Sequence, residues 1–168
     1  MAAPKWDIQD SFPAPLLRVV AQITIASGQL EYVLMLAYKR ASGKGMKVGM
    51  QEAEELRDFK RLSKATKKAF KQKVPDPQVQ KELSNILSRA WNAYQDRHTV
   101  IHATFAIQDG QLKRFFTDKP LIKARGKNYG VDVKELRAIR DRLRKSRDEL
   151  HFFTKKYLLG KKRPNAVT

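Results

Sequence analysis

The chain contains no cysteine, which removes disulfide frameworks, thiolate zinc sites and cysteine nucleophiles together. Histidine is scarce, with three in 168 residues, so imidazole chemistry has few places to sit. No stretch approaches the roughly 18 consecutive apolar residues that cross a bilayer, and the opening "MAAPKWDIQDSFPAP" has no continuous apolar run. These absences predict a soluble, cytoplasmic chain with no membrane partner. Acid is the other deficit: 17 Asp and Glu face 35 Lys and Arg, a formal net charge of +18.

Apolar material is not short. Hydrophobic residues make up 42% of the chain and include eight Phe, five Tyr and two Trp, too many for a disordered polyelectrolyte. The length suits one domain. The excess of base goes beyond what solubility requires and points to a polyanionic partner. Nucleic acid leads, because neutralising phosphates releases counterions and so supplies affinity without sequence reading. A solvated surface with a basic bias is the plainer alternative.

Residues 1–15, with three prolines, read as an arm. From Pro15, Leu16, Val20, Ile23, Leu30, Leu34 and Ala37 recur at helical steps to about Ala41. "SGKGMKVG" breaks this helix as a flexible loop; it lacks the glycine spacing and the preceding strand of a phosphate-cradling loop. A second helix is predicted over Gln51–Lys73, with Leu56, Phe59, Leu62 and Phe70 inward, acids first and lysines last. "VPDP" stops it. Asp76 and Pro77 then open a third helix carrying Val79, Leu83, Ile86, Ala90, Tyr94 and Ile101.

Beyond that helix the apolar period changes to two. "TFAIQDGQLKRFF" alternates on both sides of Asp109-Gly110, a hairpin signal. Residues 117–131 read as a basic loop, Asp132 as the cap of a last helix carrying Val133, Leu136, Ile139, Leu143, Leu150 and Phe153, and 160–168 as a basic flexible tail. The predicted fold is all-α: a bundle of about four helices over residues 16–159, with a short β-hairpin inserted before the last.

The third helix ends in "YQDRHTVIH", which holds two of the three histidines. At about 100° per residue, Arg97 falls on the side of Val79, Ile86 and Ala90, pointing into the apolar stripe. A desolvated arginine needs a partner. Glu31 in "GQLEYVL" flanks the apolar stripe of the first helix and is the candidate for a bidentate pair. His98 and His102, i and i+4, share a face with Trp91, about 100° and 140° from Arg97. They could meet Arg97 only on a ligand at the bundle's edge or across a subunit contact. A structural ion pair with half-buried histidines accounts for the same residues. The i, i+4 spacing also suits zinc, but a third ligand is missing, since His151 is the sole other histidine and Asp96 projects elsewhere.

Arg97, His98, three further residues and His102 resemble the Arg-polar-x-x-x-His motif of HEPN domains, an all-helical family that includes toxin and antiviral ribonucleases. The likeness extends over about residues 14–158: a long first helix with Leu30-Glu31, the motif at the end of a later helix, a short hairpin or loop after it, and a closing helix. His98 stands where Asn or Asp is frequent, and "HATF" follows where many members have glycine. The resemblance implies metal-independent RNA cleavage at a composite site built by a homodimer, with no cofactor and with 2′,3′-cyclic phosphate products. His102 would be the general base or acid, Arg97 would hold the scissile phosphate, and His98 would position its neighbours. Glu31 and Asp96 would support them. An antitoxin or another protein partner fits the same family.

The basic residues suit such a substrate. Residues 57–73 hold eight Lys and Arg against one acid, and 134–163 hold twelve against four. Lys64, Lys67, Lys68 and Lys71 are candidates for RNA contact on one helix. Arg137, Arg140, Arg144 and Arg147 form a stripe on the last, extended by Lys113 and Arg114 on the hairpin and Lys123, Arg125 and Lys127 in the loop. No base-reading motif is visible, so recognition by shape and charge is expected. The competing readings are a non-catalytic nucleic-acid-binding module on the same fold and a phage or mobile-element interaction protein.

Overall fold

Helix α1 occupies Ala14–Ser42 in the computed structural model, which describes residues 6–7, 13–56, 58–101, 103–108, 111–116, 129–130 and 132–159. Leu16, Val19, Ile23, Ala26, Leu30, Leu34, Ala37 and Ala41 form its buried stripe, at the steps of three and four that keep one face inward. Gly43 ends it at φ 74°, a left-handed conformation that glycine takes without steric cost. The Lys73 ammonium donates to the Arg40 carbonyl at 2.7 Å, satisfying one of the last free acceptors.

By length and composition α1 is apolar enough to cross a bilayer, although no run of 18 consecutive apolar residues occurs in it. Its apolar residues are not confined to the core stripe. Leu17, Ile25 and Tyr32 are exposed on the outside, so polar residues interrupt the run without lowering its mean hydropathy far.

The single helix expected over Gln51–Lys73 is two, α2 (Met46–Glu55) and α3 (Phe59–Lys73). Asp58 divides them. Its carboxylate accepts from the backbone N–H of Lys60 at 2.7 Å and of Arg61 at 2.9 Å, so a new helix starts where the apolar phase gives no sign of a break. The glycine loop is correspondingly shorter than expected, because α2 begins at Met46. Gly49 lies buried inside it against α1, where an added Cβ would come within 2.7 Å of Lys39 Cγ.

Helix α4 runs Pro77–Ile101 and α5 Val133–Thr154, followed by a π-helical turn over Lys155–Leu159. Asp76 and Asp132 cap them, accepting from the N–H of Gln78 at 2.8 Å and of Lys134 at 2.7 Å. The described residues thus hold five α-helices where about four were expected.

Polar pairs along the seams give the helix directions. Arg140 donates to Gln22 at 2.9 Å and Arg147 to Gln29 at 2.5 Å, a constant offset that makes α1 and α5 parallel. Arg89 meets Glu149 at 3.0 Å and Arg142 meets Asp96 at 2.8 Å, so α4 and α5 are antiparallel. Helix α3 turns back on α4 through "VPDP", where Gln80 donates to the Val74 carbonyl at 2.6 Å. Helices α1 and α4 each pack on both α3 and α5, which sets α3 and α5 at opposite corners of the bundle.

Ile23, Leu30, Leu34, Phe70, Leu83, Leu87, Leu136, Leu143 and Leu150 fill the centre. Phe70 meets Phe153 at 5.4 Å between ring centres. The buried Thr66 and Thr154 hydroxyls return to the carbonyls of Leu62 and Leu150 at 2.8 and 2.7 Å, so neither is left unsatisfied.

At the end of the bundle where α4 finishes, β2 (Ala103–Gln108) and β3 (Gln111–Phe116) pair antiparallel, from Ala103 opposite Phe116 to Gln108 opposite Gln111. Two short strands flank them, β1 (Trp6–Asp7) on β2 and β4 (Tyr129–Gly130) on β3. Each falls in a segment read as an arm or a loop. Asp109-Gly110, most of the 117–131 segment and the 160–168 tail lie outside the described residues.

Candidate functional site

Helix α4 delivers Arg97 to the margin of the core. Ala90, Ala93 and Val100 around it are buried, while Arg97 is half-buried and His98, next in sequence, is exposed. Thus the arginine and the first histidine diverge, as the 100° helical step requires. His102 lies outside the described residues, so the convergence of Arg97 with it does too.

The Arg97 guanidinium sits over the ring of Tyr94, its carbon 5.1 Å from the ring centre. One terminal nitrogen, Nη1, donates to the Tyr94 oxygen at 3.4 Å, a long contact. Its Nε is fully buried and has no hydrogen-bond partner. Arg97 follows Tyr94 at i+3, about one helical turn, which stacks the side chains on the same face.

Tyr94 itself is held by a small aromatic cluster. Its ring lies 4.7 Å from that of Phe59 and 6.2 Å from that of Trp91, offset distances at which aromatic pairs attract. Burial pushes its phenol up to about 12, the Glu31 carboxylate adds to this, and Arg97 opposes it. Asp58, the cap of α3, contributes a further negative field.

The expected direct pair of Glu31 with Arg97 is therefore corrected. Among the described residues no ion pair joins them. Tyr94 lies under the influence of both: it accepts from Arg97, and the Glu31 carboxylate helps to raise its phenol. Sequence reasoning placed Tyr94 in the apolar stripe and missed this use of its hydroxyl; the i, i+3 step to Arg97 was the available signal.

No family model matches the chain, and comparisons with curated proteins and with solved structures likewise give no match.

Asp96 is turned to α5, where its carboxylate takes Nε of Arg142 at 3.0 Å and Nη2 at 2.8 Å. It ties the α4–α5 seam. No group of three or more His, Cys, Asp or Glu able to hold a metal occurs among the described residues.

The basic residues fall into separate places. Lys64, Lys68 and Lys71 are exposed on α3 and Lys67 is half-buried there, at the corner opposite α5. Arg137 and Arg144 are exposed on α5. Arg140 and Arg147 are not free members of a continuous stripe. Each is pinned by a glutamine of α1 and by the aspartate that follows it, Asp141 or Asp148. The side chains of Lys113 and Arg114 on β3, and Lys123, Arg125 and Lys127, lie outside the described residues.

Proposed function

We propose that the chain is an HEPN-like RNA-binding protein, a metal-independent endoribonuclease of toxin or defence type acting in the cytoplasm as a homodimer. The observation that carries this reading is Arg97: a guanidinium over the Tyr94 ring at the edge of the core, with one buried donor unmatched among the described residues. A cation fixed there is placed to meet an anion without first reorganising, which is what stabilising a phosphate in its transition state requires.

In this reading Arg97 binds the scissile phosphate, His102 moves the proton of the ribose 2′-hydroxyl or of the leaving oxygen, and His98 orients its neighbours. Glu31 acts through Tyr94 as a positioning group. The paired strands 103–108 and 111–116 stand for the hairpin expected after the motif. The net charge of +18 supplies general affinity for RNA.

A second reading has one observation of its own. Arg97 is tied into Tyr94, and that contact alone gives it a structural role. A non-catalytic RNA-binding module on the same fold follows if it has no other. Mixed structured RNA, incubated in chelator with the parent protein and with Arg97→Ala and His102→Ala variants of unchanged fold and oligomeric state, separates the two. The nuclease reading requires cleavage by the parent, its loss in both variants, and RNA affinity kept in His102→Ala. RNA bound but left intact by the parent favours the module, and a chain that binds one protein tightly and RNA weakly favours an antitoxin-type or other protein partner.

A further inference from the structure

At the end of the bundle that carries Arg97, the first turns of α1 and α5 lie side by side and enclose an open cleft of about 520 Å³. Arg18, Gln22, Arg137 and Arg140 line it, with Val19 beneath. We infer that this cleft is a phosphate-binding subsite for the RNA backbone.

Three guanidinium groups line the cleft, and Asp141 binds one of them. Arg140 is fixed in place: Nη1 donates to Gln22 Oε1 at 2.9 Å, and Nε and Nη2 donate to Asp141 at 2.8 and 3.1 Å. Arg18 and Arg137 are exposed, and among the described residues neither has a carboxylate partner. The cleft thus keeps two uncompensated cations beside one that is already oriented. Helix α1 has no acidic residue in its first turn and no side-chain cap, so the positive end of its dipole adds to the same field.

The described residues that line the cleft include no aromatic ring. Nothing there can stack a base, whereas planar guanidinium forks match phosphate oxygens. The Arg142–Asp96 pair sets the start of α5 beside the last turns of α4, so the cleft lies at the end of the bundle where α4 finishes. The subsite rests on the RNA-binding part of the proposed function and not on cleavage.

The test is the salt dependence of binding a labelled single-stranded RNA by the full chain, comparing Arg18→Gln/Arg137→Gln with a charge-matched Lys81→Gln/Lys155→Gln at the opposite end of the bundle. Losing two phosphate contacts lowers the log–log salt slope by about 1.4 and weakens binding near 0.1 M salt by about 25-fold. The subsite requires that loss in the cleft variant and less than half of it in the control. Equal losses, or an unchanged slope in the cleft variant, overturn it. RNA with and without a 5′-phosphate should bind alike; affinity confined to the phosphorylated end also overturns it. A parent that fails to bind RNA sinks the subsite and the RNA reading together, whereas RNA bound but never cut leaves the subsite standing and removes only the nuclease.

Discussion

Replacing Tyr94 with Phe removes one oxygen and keeps the ring that Phe59 and Arg97 stack on, 4.7 and 5.1 Å away between centres. What is lost is the acceptor for Arg97 and the phenol on which the Glu31 carboxylate acts. A hydrogen bond to an ionised group contributes about 1.5–3 kcal/mol. Tyr94 is only half-buried, so the lower end applies, about 1.5 kcal/mol. The effect has a pH fingerprint. The folded chain holds this phenol near 12 against an ordinary value of 10, so folding favours its protonated form. That contribution is complete below pH 10 and fades as the pH rises through 12. Its ceiling, about 2.7 kcal/mol, falls to about 1 kcal/mol once solvent screening at a half-open position is allowed for. Urea unfolding of both proteins between pH 8 and 12 measures it, since the lysines titrate alike in the two and cancel. The parent should be the more stable by about 1–2 kcal/mol at pH 8, with the gap closing towards pH 12. Equal stabilities at pH 8, or a gap that stays constant to pH 12, would refute the Glu31–Tyr94–Arg97 chain.

Phe70→Ala empties a fully buried position against Phe153 and should lower the unfolding free energy by about 3–5 kcal/mol, read from the urea midpoint. Asp58→Ala removes the acceptor of two backbone donors at the start of α3. It should cost about 1 kcal/mol, and because Asp58 also raises the Tyr94 phenol, ultraviolet titration should show that tyrosine ionising at lower pH.

The long helices are legible because their apolar residues keep the 3.6 period: the stripes of α1, α4 and α5 lie where Leu30, Leu83 and Leu143 fall in phase with their neighbours. The break between α2 and α3 is not, because Leu56, Phe59 and Leu62 keep phase across it and only the Asp58 cap marks the new start. Gly49 reads as loop from composition, while its close approach to Lys39 depends on where α1 passes. Strands β1 and β4 are two residues each and carry no periodicity at all.

Arg97 is conspicuous as a charge in an apolar phase, but its partner depends on which α1 residue comes opposite, and Tyr94 resembles core until that is known. The pinned arginines had a signal that passes unnoticed one helix at a time. Gln22 and Gln29 repeat the seven-residue step of Arg140 and Arg147, as two parallel helices in contact require.

The end groups of RNA incubated in chelator with the purified protein test most directly whether Arg97 and His102 form an active site. The nuclease reading predicts 2′,3′-cyclic phosphate ends from the parent and none from Arg97→Ala or His102→Ala. Intact RNA with the parent, or the same products from either variant, would contradict it.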